Sequence, residues 1–238
     1  MEQTTKRALE HLRVVEIGGM AAAYASGFLA GLGADVIKVE PPAGDPNRLL
    51  PPFAGDINDK ERSIPFLNAN LNKRSLVLDI ANNENKKTFK TLLENADILI
   101  ESTPPGYLDS IGLGQEILSQ LNEGLVTVSL THFGQTGPYS QFAANDAIVA
   151  AMSGAMMSQG DNTRPPVVLP CQLAYQIAAI HGAYLGIAAV RKRRTVGTGQ
   201  RIDLSMQEAL TYAGVSAVAR YSDRSEIVER PGLSGGNA

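Results

Sequence analysis

The stretch RVVEIGGMAAAYASGFLAGLGADVIKVE, residues 13–40, decides the fold of this chain. It opens with a β-rich run at Val14–Ile17, turns at Gly18-Gly19, continues as a small, apolar segment over Met20–Leu32 and ends in a second β-rich run, Asp35–Glu40. Strand, glycine turn, helix and strand thus follow one another in about 28 residues, which is the span of a βαβ unit. The sequence therefore predicts a parallel sheet.

The same alternation continues along the chain. Further strands are predicted at Ser75–Asp79, Asp97–Glu101, Leu125–Leu130 and Gln200–Leu204. Further helices are predicted at Asn83–Asn95, Leu113–Asn122, Ala143–Gly154, Leu173–Arg194 and Ser205–Tyr221. Between them, Pro41 to Pro65 is rich in proline and glycine and predicts a long loop without a regular element. We therefore expect an α/β fold, a Rossmann-like parallel sheet with helices on both faces.

The composition is that of a folded protein with a small-molecule ligand. The chain has 238 residues, 44% of them hydrophobic and 19% charged, and a formal net charge of -3. This balance excludes a disordered or collagen-like chain, and the length fits one large domain or one domain with an appendage. The near-neutral charge gives no reason to expect nucleic acid or an anionic membrane surface as a partner.

Cysteine content and hydropathy indicate the cellular compartment in which the protein is expected. Cys171 is the single cysteine, so the sequence excludes an internal disulfide and a thiolate-rich zinc site. The first seven residues are polar, and no stretch reaches the ~18 unbroken apolar residues typical of a membrane helix. These features predict a cytoplasmic protein with no membrane partner.

The glycine turn is a candidate phosphate site. Gly18-Gly19 lies where helix N-terminal amides of an α/β sheet commonly receive phosphate. It is not the dinucleotide fingerprint, because Met20 stands where the second glycine is required, although Glu40 imitates the acid that holds a ribose. The alternative interpretation is that both glycines only allow a tight turn.

Two basic segments are further candidates. Asn72-Lys73-Arg74-Ser75, beside the long loop, suits phosphate or adenine contacts, or else is a solvated strand end. Arg191–Arg194 ends the long predicted helix, where cations offset the helix dipole, and a phosphate partner is the alternative. No metal site is predicted, because the three histidines lie far apart without spaced carboxylates or cysteines: His11, His132 and His181.

Several motifs in family order make the chain resemble the family III CoA-transferases, also called CaiB/BaiF. The matching segments are Leu12-Arg13-Val14-Val15-Glu16, Leu32-Gly33-Ala34-Asp35-Val36-Ile37-Lys38-Val39-Glu40-Pro41-Pro42, Gly44-Asp45-Pro46, Asn72-Lys73-Arg74-Ser75, Phe133-Gly134-Gln135-Thr136-Gly137-Pro138-Tyr139 and Gly197-Thr198-Gly199-Gln200-Arg201-Ile202-Asp203-Leu204-Ser205. The resemblance implies the large domain of this family with its C-terminal small domain absent. It would occupy residues 1–222, with residues 223–238 as an extended tail or the start of a missing linker. A G-x-S-x-G match at Gly232–Gly236 in that tail lacks the strand and helix that a nucleophile elbow requires.

The resemblance also implies the ligands. Coenzyme A or an acyl-CoA would be the substrate, with carboxylate small molecules as acyl partners and no metal. The residues expected to contact CoA are Gly18, Gly19, Asn70, Asn72, Lys73, Arg74, Ser102, Pro105 and His132. A homologous catalytic subunit or a second copy of the chain is the expected protein partner.

The family nucleophile is missing. Family chemistry runs through an aspartate near the start of the helix that here precedes Gly186, and that position is Gln176, or Tyr175 with a one-residue gap. No Asp or Glu occurs after Asp161 and before Asp203. Because an amide has no carboxylate oxygen to form an anhydride, the catalytic residue is unknown.

Three hypotheses follow. The first is a non-catalytic, partner-dependent subunit of a CoA-transferase. The second is an active CoA-transferase with a non-standard carboxylate such as Asp146 or Glu40. The third is an NAD(P)-binding α/β module outside the family.

Overall fold

The computed structural model of this protein describes residues 6–212 and 215–230. Six strands form one sheet in the order β3-β2-β1-β4-β5-β6, and every neighbouring pair is parallel. This order is common to Rossmann-type sheets. The strands are β1 (Arg13–Gly18), β2 (Asp35–Glu40), β3 (Arg74–Val77), β4 (Ile98–Ser102), β5 (Val126–Thr131) and β6 (Arg201–Ser205). The predicted parallel α/β fold is confirmed.

The described helices cover both faces of this sheet. They are α1 (Met20–Gly31), α2 (Ile64–Ala69), α3 (Asn83–Glu94), α4 (Tyr107–Ser110), α5 (Gln115–Leu121), α6 (Asp146–Met152), α7 (Leu173–Val196), α8 (Met206–Thr211) and α9 (Val215–Arg224). Residues of α1, α6, α7 and α8 share one apolar core with β5. Residues of α3, α4 and α5 form a second core on the opposite face.

Helices α1 and α7 pack closely because their contact faces carry alanine and glycine. Ala22, Ala25, Ala178 and Ala179 are fully buried. A Cβ at Gly182 would stand 3.1 Å from Leu130 Cδ2 of β5, so the helix backbone approaches the sheet directly. By length and composition α7 is apolar enough to cross a membrane, but here its small-residue face lies in the core.

The predicted long loop contains structure that the sequence reading missed. Residues 46–49 and 54–56 form short 3-10 turns, and α2 begins at Ile64, inside the predicted loop. The side chain of Ser63 accepts a hydrogen bond from the Phe66 amide, and Pro65 occupies the first turn of α2. Since proline at a helix N-terminus favours the helix, interpreting Pro65 as the end of a loop was wrong.

The C-terminal part also differs from expectation. The predicted helix Ser205–Tyr221 corresponds to α8 and α9, with residues 213–214 between them outside the description. The short helix α4 was not predicted. The expected boundary at residues 222 and 223 falls within α9, and the G-x-S-x-G match at 232–236 lies outside the described residues.

Candidate functional site

A cleft of about 480 Å³ opens at the carboxyl ends of β1, β4 and β5. Successive strands are added to one side of β1 up to β3 and to its other side from β4 onward, and the crevice at such a switch point is the usual ligand position in an open parallel sheet. The described residues that line the cleft include no Asp, Glu, Lys or Arg. They are Gly19, Met20, Ala21, Asn47, Ser102, Thr103, Pro104, Pro105, Leu130, Thr131, His132, Ser140, Gln141, Phe142, Ala143, Ala144, Tyr175 and Met206.

The glycine turn brings the ends of β1 and β4 together. Gly18 has a φ of 102°, and a Cβ there would lie 2.8 Å from the Ser102 nitrogen. The Gly19 amide donates a hydrogen bond to Ser102 Oγ at 2.8 Å. Among the described residues no side chain caps α1, so the first amides of α1 meet the cleft at Met20 and Ala21. A helix terminus of this kind carries a partial positive charge.

A hydrogen-bonded chain joins α6, α7 and the end of β5. Asp146 Oδ1 accepts from the Tyr175 amide at 2.9 Å, and the Tyr175 hydroxyl lies 3.0 Å from His132 Nε2. Burial lowers the pKa of His132. Burial, and then the charge of Asp146, raises the pKa of Tyr175 to about 12. At neutral pH both cleft side chains are therefore uncharged.

The two positions proposed for the missing nucleophile face different surroundings. Tyr175 lines the cleft, whereas Gln176 does not. The side-chain Nε2 of Gln176 donates to the Cys171 carbonyl at 2.6 Å, which directs this side chain to the turn that precedes α7. Of the two, the structure brings Tyr175 to the cleft.

A second, smaller cleft of about 220 Å³ adjoins the first. It lies at the carboxyl ends of β1 and β2 and is lined by Ile17, Gly18, Val39, Pro41, Leu78, Asp79, Ile80, Thr103, Pro104 and Tyr107. Thr103 and Pro104 line both clefts. A ligand with two distinct ends can therefore extend from one cleft to the other across the 102–105 loop.

The sequence candidates separate into two groups. Gly19, Ser102, Pro105 and His132 line the larger cleft, and Gly18 lines the smaller one. Four others lie outside the lining of both: Asn70, Asn72, Lys73 and Arg74.

Lys73 has a structural role. Its Nζ donates to Glu16 Oε2 at 2.8 Å, to the Ala23 carbonyl at 2.7 Å and to Asn70 Oδ1 at 2.8 Å. An ammonium group has three hydrogens, so none remains for a ligand phosphate. Its side chain is 2% exposed. Burial lowers the pKa of Lys73 to about 8 despite the attraction of Glu16.

Arg74 and Asn72 also have local roles. Arg74 donates to both oxygens of Asp35, and this pair lies at the amino ends of β2 and β3, at the edge of the sheet opposite the clefts. Asn72 occupies the left-handed region with a φ of 63°, which lets the chain turn from α2 into β3.

A buried charged network, formed by Glu16, Lys38, Lys73 and Asp45, lies beneath the start of the long loop. Glu16 is fully buried and accepts from Lys38 Nζ at 2.6 Å and from Lys73. Lys38 also pairs with Asp45 at 2.6 Å, which fixes the loop after β2. Burial would raise the pKa of Glu16, but the two ammonium groups lower it.

The two alternative carboxylates are both engaged. Glu40 accepts from Arg48 Nε at 2.7 Å, from Arg48 Nη2 at 2.9 Å and from Ser75 Oγ at 2.6 Å. Burial would raise the pKa of Glu40, but the bonds from Arg48 and Ser75 lower it to about 2. Asp146 caps the start of α7. Neither residue belongs to the lining of the larger cleft, and Glu40 is not free to hold a ribose.

Sequence reasoning missed several lining residues. Asn47, Thr103 and Phe142 lie in loops whose contribution depends on how the strand ends meet. The signal available was three aromatic residues within the turn-rich segment 133–142. Over residues 6–212 and 215–230, no group of three or more His, Cys, Asp or Glu side chains could hold a metal ion.

The chain is similar to known proteins in both sequence and structure. The sequence profile of CoA-transferase family III matches residues 9–237. The chain is 36% identical over 226 residues to the succinyl-CoA:(R)-benzylsuccinate CoA-transferase subunit BbsE of Thauera aromatica, covering 95% of this chain and 55% of that protein. It is 34% identical over 232 residues to the succinyl-CoA--D-citramalate CoA-transferase of Chloroflexus aurantiacus, covering 97% and 57%.

A solved structure gives the same result. A CAIB/BAIF family protein from Brucella suis superposes with a TM-score of 0.89 at 31% identity, over 95% of this chain and 60% of that one. The chain thus spans between 55% and 60% of the length of these three proteins.

Proposed function

The chain belongs to CoA-transferase family III, and from this membership we propose that it binds a CoA thioester as the subunit of a CoA-transferase that does not supply the nucleophile. The observation that carries the proposal is the larger cleft, whose described lining includes no carboxylate side chain. Family membership overturns the third hypothesis, an NAD(P)-binding module outside the family.

The two adjoining clefts suit the two ends of a CoA thioester. The crevice beside β1 and β2 is where Rossmann-type sheets hold an adenosine group, so we assign the nucleotide to the smaller cleft. The thioester end then lies in the larger cleft, between the start of α1 and the His132–Tyr175 pair. In this arrangement the chain binds and orients a CoA thioester but supplies no lining carboxylate to attack it.

The proposed protein partner is a homologous chain that carries a carboxylate at the position of Tyr175, so the covalent steps take place in the partner's own cleft, on a CoA thioester bound there. In the transfer that the family resemblance implies, this carboxylate attacks the thioester carbonyl and releases the CoA thiolate, leaving an acyl anhydride on the enzyme. The thiolate then attacks the enzyme carbonyl, so the first acid leaves and CoA is held on the enzyme. One relative is itself named as a subunit, whereas the citramalate enzyme is not. A homodimer is the alternative assembly.

Location is part of the proposal. A single cysteine, the near-neutral charge and the CoA ligand favour the cytoplasm.

Two measurements test the proposal. Calorimetry of the purified chain should show CoA binding, and native mass spectrometry of material from its own host should show a co-purifying homologue. Absence of CoA binding would contradict the ligand assignment. A homodimer that transfers CoA without a partner would contradict the partner-dependent role.

Introduced carboxylates locate the missing nucleophile. Tyr175→Asp should yield a hydroxylamine-sensitive adduct with an acyl-CoA, because residue 175 lines the cleft. Gln176→Asp is the matched control and should yield none, because that side chain lies outside the lining. An adduct on the unmodified chain would instead support the second hypothesis, an endogenous carboxylate.

A further inference from the structure

We propose that the larger cleft selects a carboxylic acid that carries an aromatic ring, a substrate class that rests on the proposed function. The argument depends on a continuous series of side-chain rings, which we call the ring ladder: Tyr175, His132, Phe133, Tyr139 and Phe142.

Each ring of the ring ladder lies close to the next one. The ring centroids of Tyr175 and His132 lie 5.8 Å apart, and those of His132 and Phe133 lie 6.3 Å apart. Phe133 and Tyr139 follow at 6.1 Å, and Tyr139 and Phe142 at 5.3 Å. All four spacings fall within the range of interacting aromatic pairs. Tyr175, His132 and Phe142 line the cleft directly.

Aromatic residues are few in the whole chain, which makes a cluster of five rings at one cleft informative. The chain has seven tyrosines, six phenylalanines and no tryptophan in 238 residues. Four of these residues belong to the ring ladder, and its fifth member is one of three histidines. The ladder is thus a local concentration of rings at one cleft.

The last rings of the ladder are open to solvent. Phe142 is 56% exposed and Tyr139 is 45% exposed, whereas Phe133 is 8% exposed. The segment is held by its own turn, in which the Phe142 amide donates to the Tyr139 carbonyl at 2.9 Å. A ring placed in the cleft against Phe142 would continue the ladder by one step and cover apolar surface that now faces water.

The remaining lining supports a flat apolar group. The apolar part of the lining also includes Met20, Leu130, Met206 and the pair Ala143-Ala144, and no charged side chain is found among the described lining residues. The polar lining residues are uncharged: Asn47, Ser102, Thr103, Thr131, Ser140 and Gln141. Methionine sulfur also makes favourable contacts with aromatic rings. A saturated ring of equal size would bury a similar area but would lack the ring–ring and sulfur–ring interactions.

A matched pair of acids tests this inference. 3-Phenylpropionate and 3-cyclohexylpropionate share chain length and charge and differ in aromaticity. Calorimetry on the full chain with saturating CoA should show the phenyl acid binding about 2- to 10-fold more tightly, which corresponds to the 0.5–1.5 kcal/mol of an aromatic pair. Phe142→Leu should remove the preference, because Phe142 is the exposed ring of the ladder that lines the cleft.

The control variant is Phe28→Leu. Phe28 is 39% exposed on α1 but does not line the cleft, so the preference should survive this substitution. Equal affinity for the two acids, or a preference unaffected by Phe142→Leu, would overturn the inference while CoA binding leaves the proposed function intact. A preference seen only without CoA would assign the ladder to the adenine ring and would also overturn it. Loss of CoA binding by the unmodified chain would count against the proposed function instead.

Discussion

The buried charged network and the larger cleft both lie near the carboxyl ends of the sheet, yet they have opposite chemistry. The network places two ammonium groups around one fully buried carboxylate, whereas the cleft is lined by neutral groups among the described residues. Lys73, which suggests a phosphate site in sequence, thus binds the protein's own Glu16. The difference shows that a basic residue beside a loop can be engaged by the protein's own buried carboxylate, while the neighbouring cleft offers a ligand only uncharged groups among its described residues.

Removing Glu16 from the buried charged network should have the largest effect on the free energy of unfolding. Glu16→Ala leaves Lys38 and Lys73 buried without their shared partner, so we expect a loss of about 3–5 kcal/mol in the free energy of unfolding, measured by urea denaturation. Asp35→Asn breaks an exposed pair with Arg74, whose side chains are 44% and 64% exposed, and should cost about 0–1 kcal/mol. Similar losses for the two variants would contradict the structural role of the network.

Glu40 should give the next largest effect, and one that depends on pH. Glu40→Gln weakens charge-assisted bonds from Arg48 and Ser75, at a cost of about 1.5–3 kcal/mol at pH 7. Because folding lowers the pKa of Glu40 from 4.5 to about 2, its stabilising contribution is complete above pH 4.5 and is lost as the pH falls towards 2. The stability difference between wild type and variant should therefore shrink over this range. A constant difference would show that the carboxylate is not paired.

In the cleft, loss of one hydroxyl should have a smaller effect. Tyr175→Phe removes the hydrogen bond to His132 Nε2 and should lower stability by about 0.5–1.5 kcal/mol. Tyr184→Phe on the same helix is the control, since Tyr184 is 50% exposed, and should change stability by less than about 0.5 kcal/mol. Equal effects would argue against a specific Tyr175–His132 contact.

The smallest expected effect is the pH dependence that His132 adds to the free energy of unfolding. Because burial lowers the pKa of His132, its imidazole should titrate below its ordinary value of 6.5 and be neutral at pH 7. The folded state then binds fewer protons than the unfolded one, so this group favours folding less as the pH falls below 6.5. Following the ring proton shifts by NMR checks the pKa. A value above 6.5 would mean that a nearby anion contacts the ring.

Much of the fold could be predicted because its signals are local. The strand Asp35–Glu40 was predicted with its observed bounds, since glycine punctuation and an apolar run specify it within a few residues. Helix α2 was missed because Ser63 and Pro65 resemble loop residues until the cap to Phe66 is seen. Local sequence predicts elements well when start and stop signals are unambiguous.

The site was predicted only in part because its contacts are distant in sequence. Lys73 could not be assigned to Glu16 from sequence, since 57 residues separate them. The Tyr175–His132 contact spans 43 residues. By contrast, Gly19 and Ser102, both expected from the family resemblance to contact CoA, lie together in the lining of the larger cleft, because parallel strands direct their carboxyl ends to one side.

Helix α7 runs from the carboxyl ends of the strands to their amino ends as a single helix of 24 residues, about 36 Å long. The first turn of α7 places Tyr175 in the cleft. Near the last turn, Arg193 donates to Asp97 and to the Gly124 carbonyl, at the amino ends of β4 and β5. Alanine and glycine contacts leave few rotamers along its length to absorb a displacement. A displacement of the Arg193 end would therefore be transmitted along the helix axis to Tyr175, so the surface around Arg193 is mechanically coupled to the cleft.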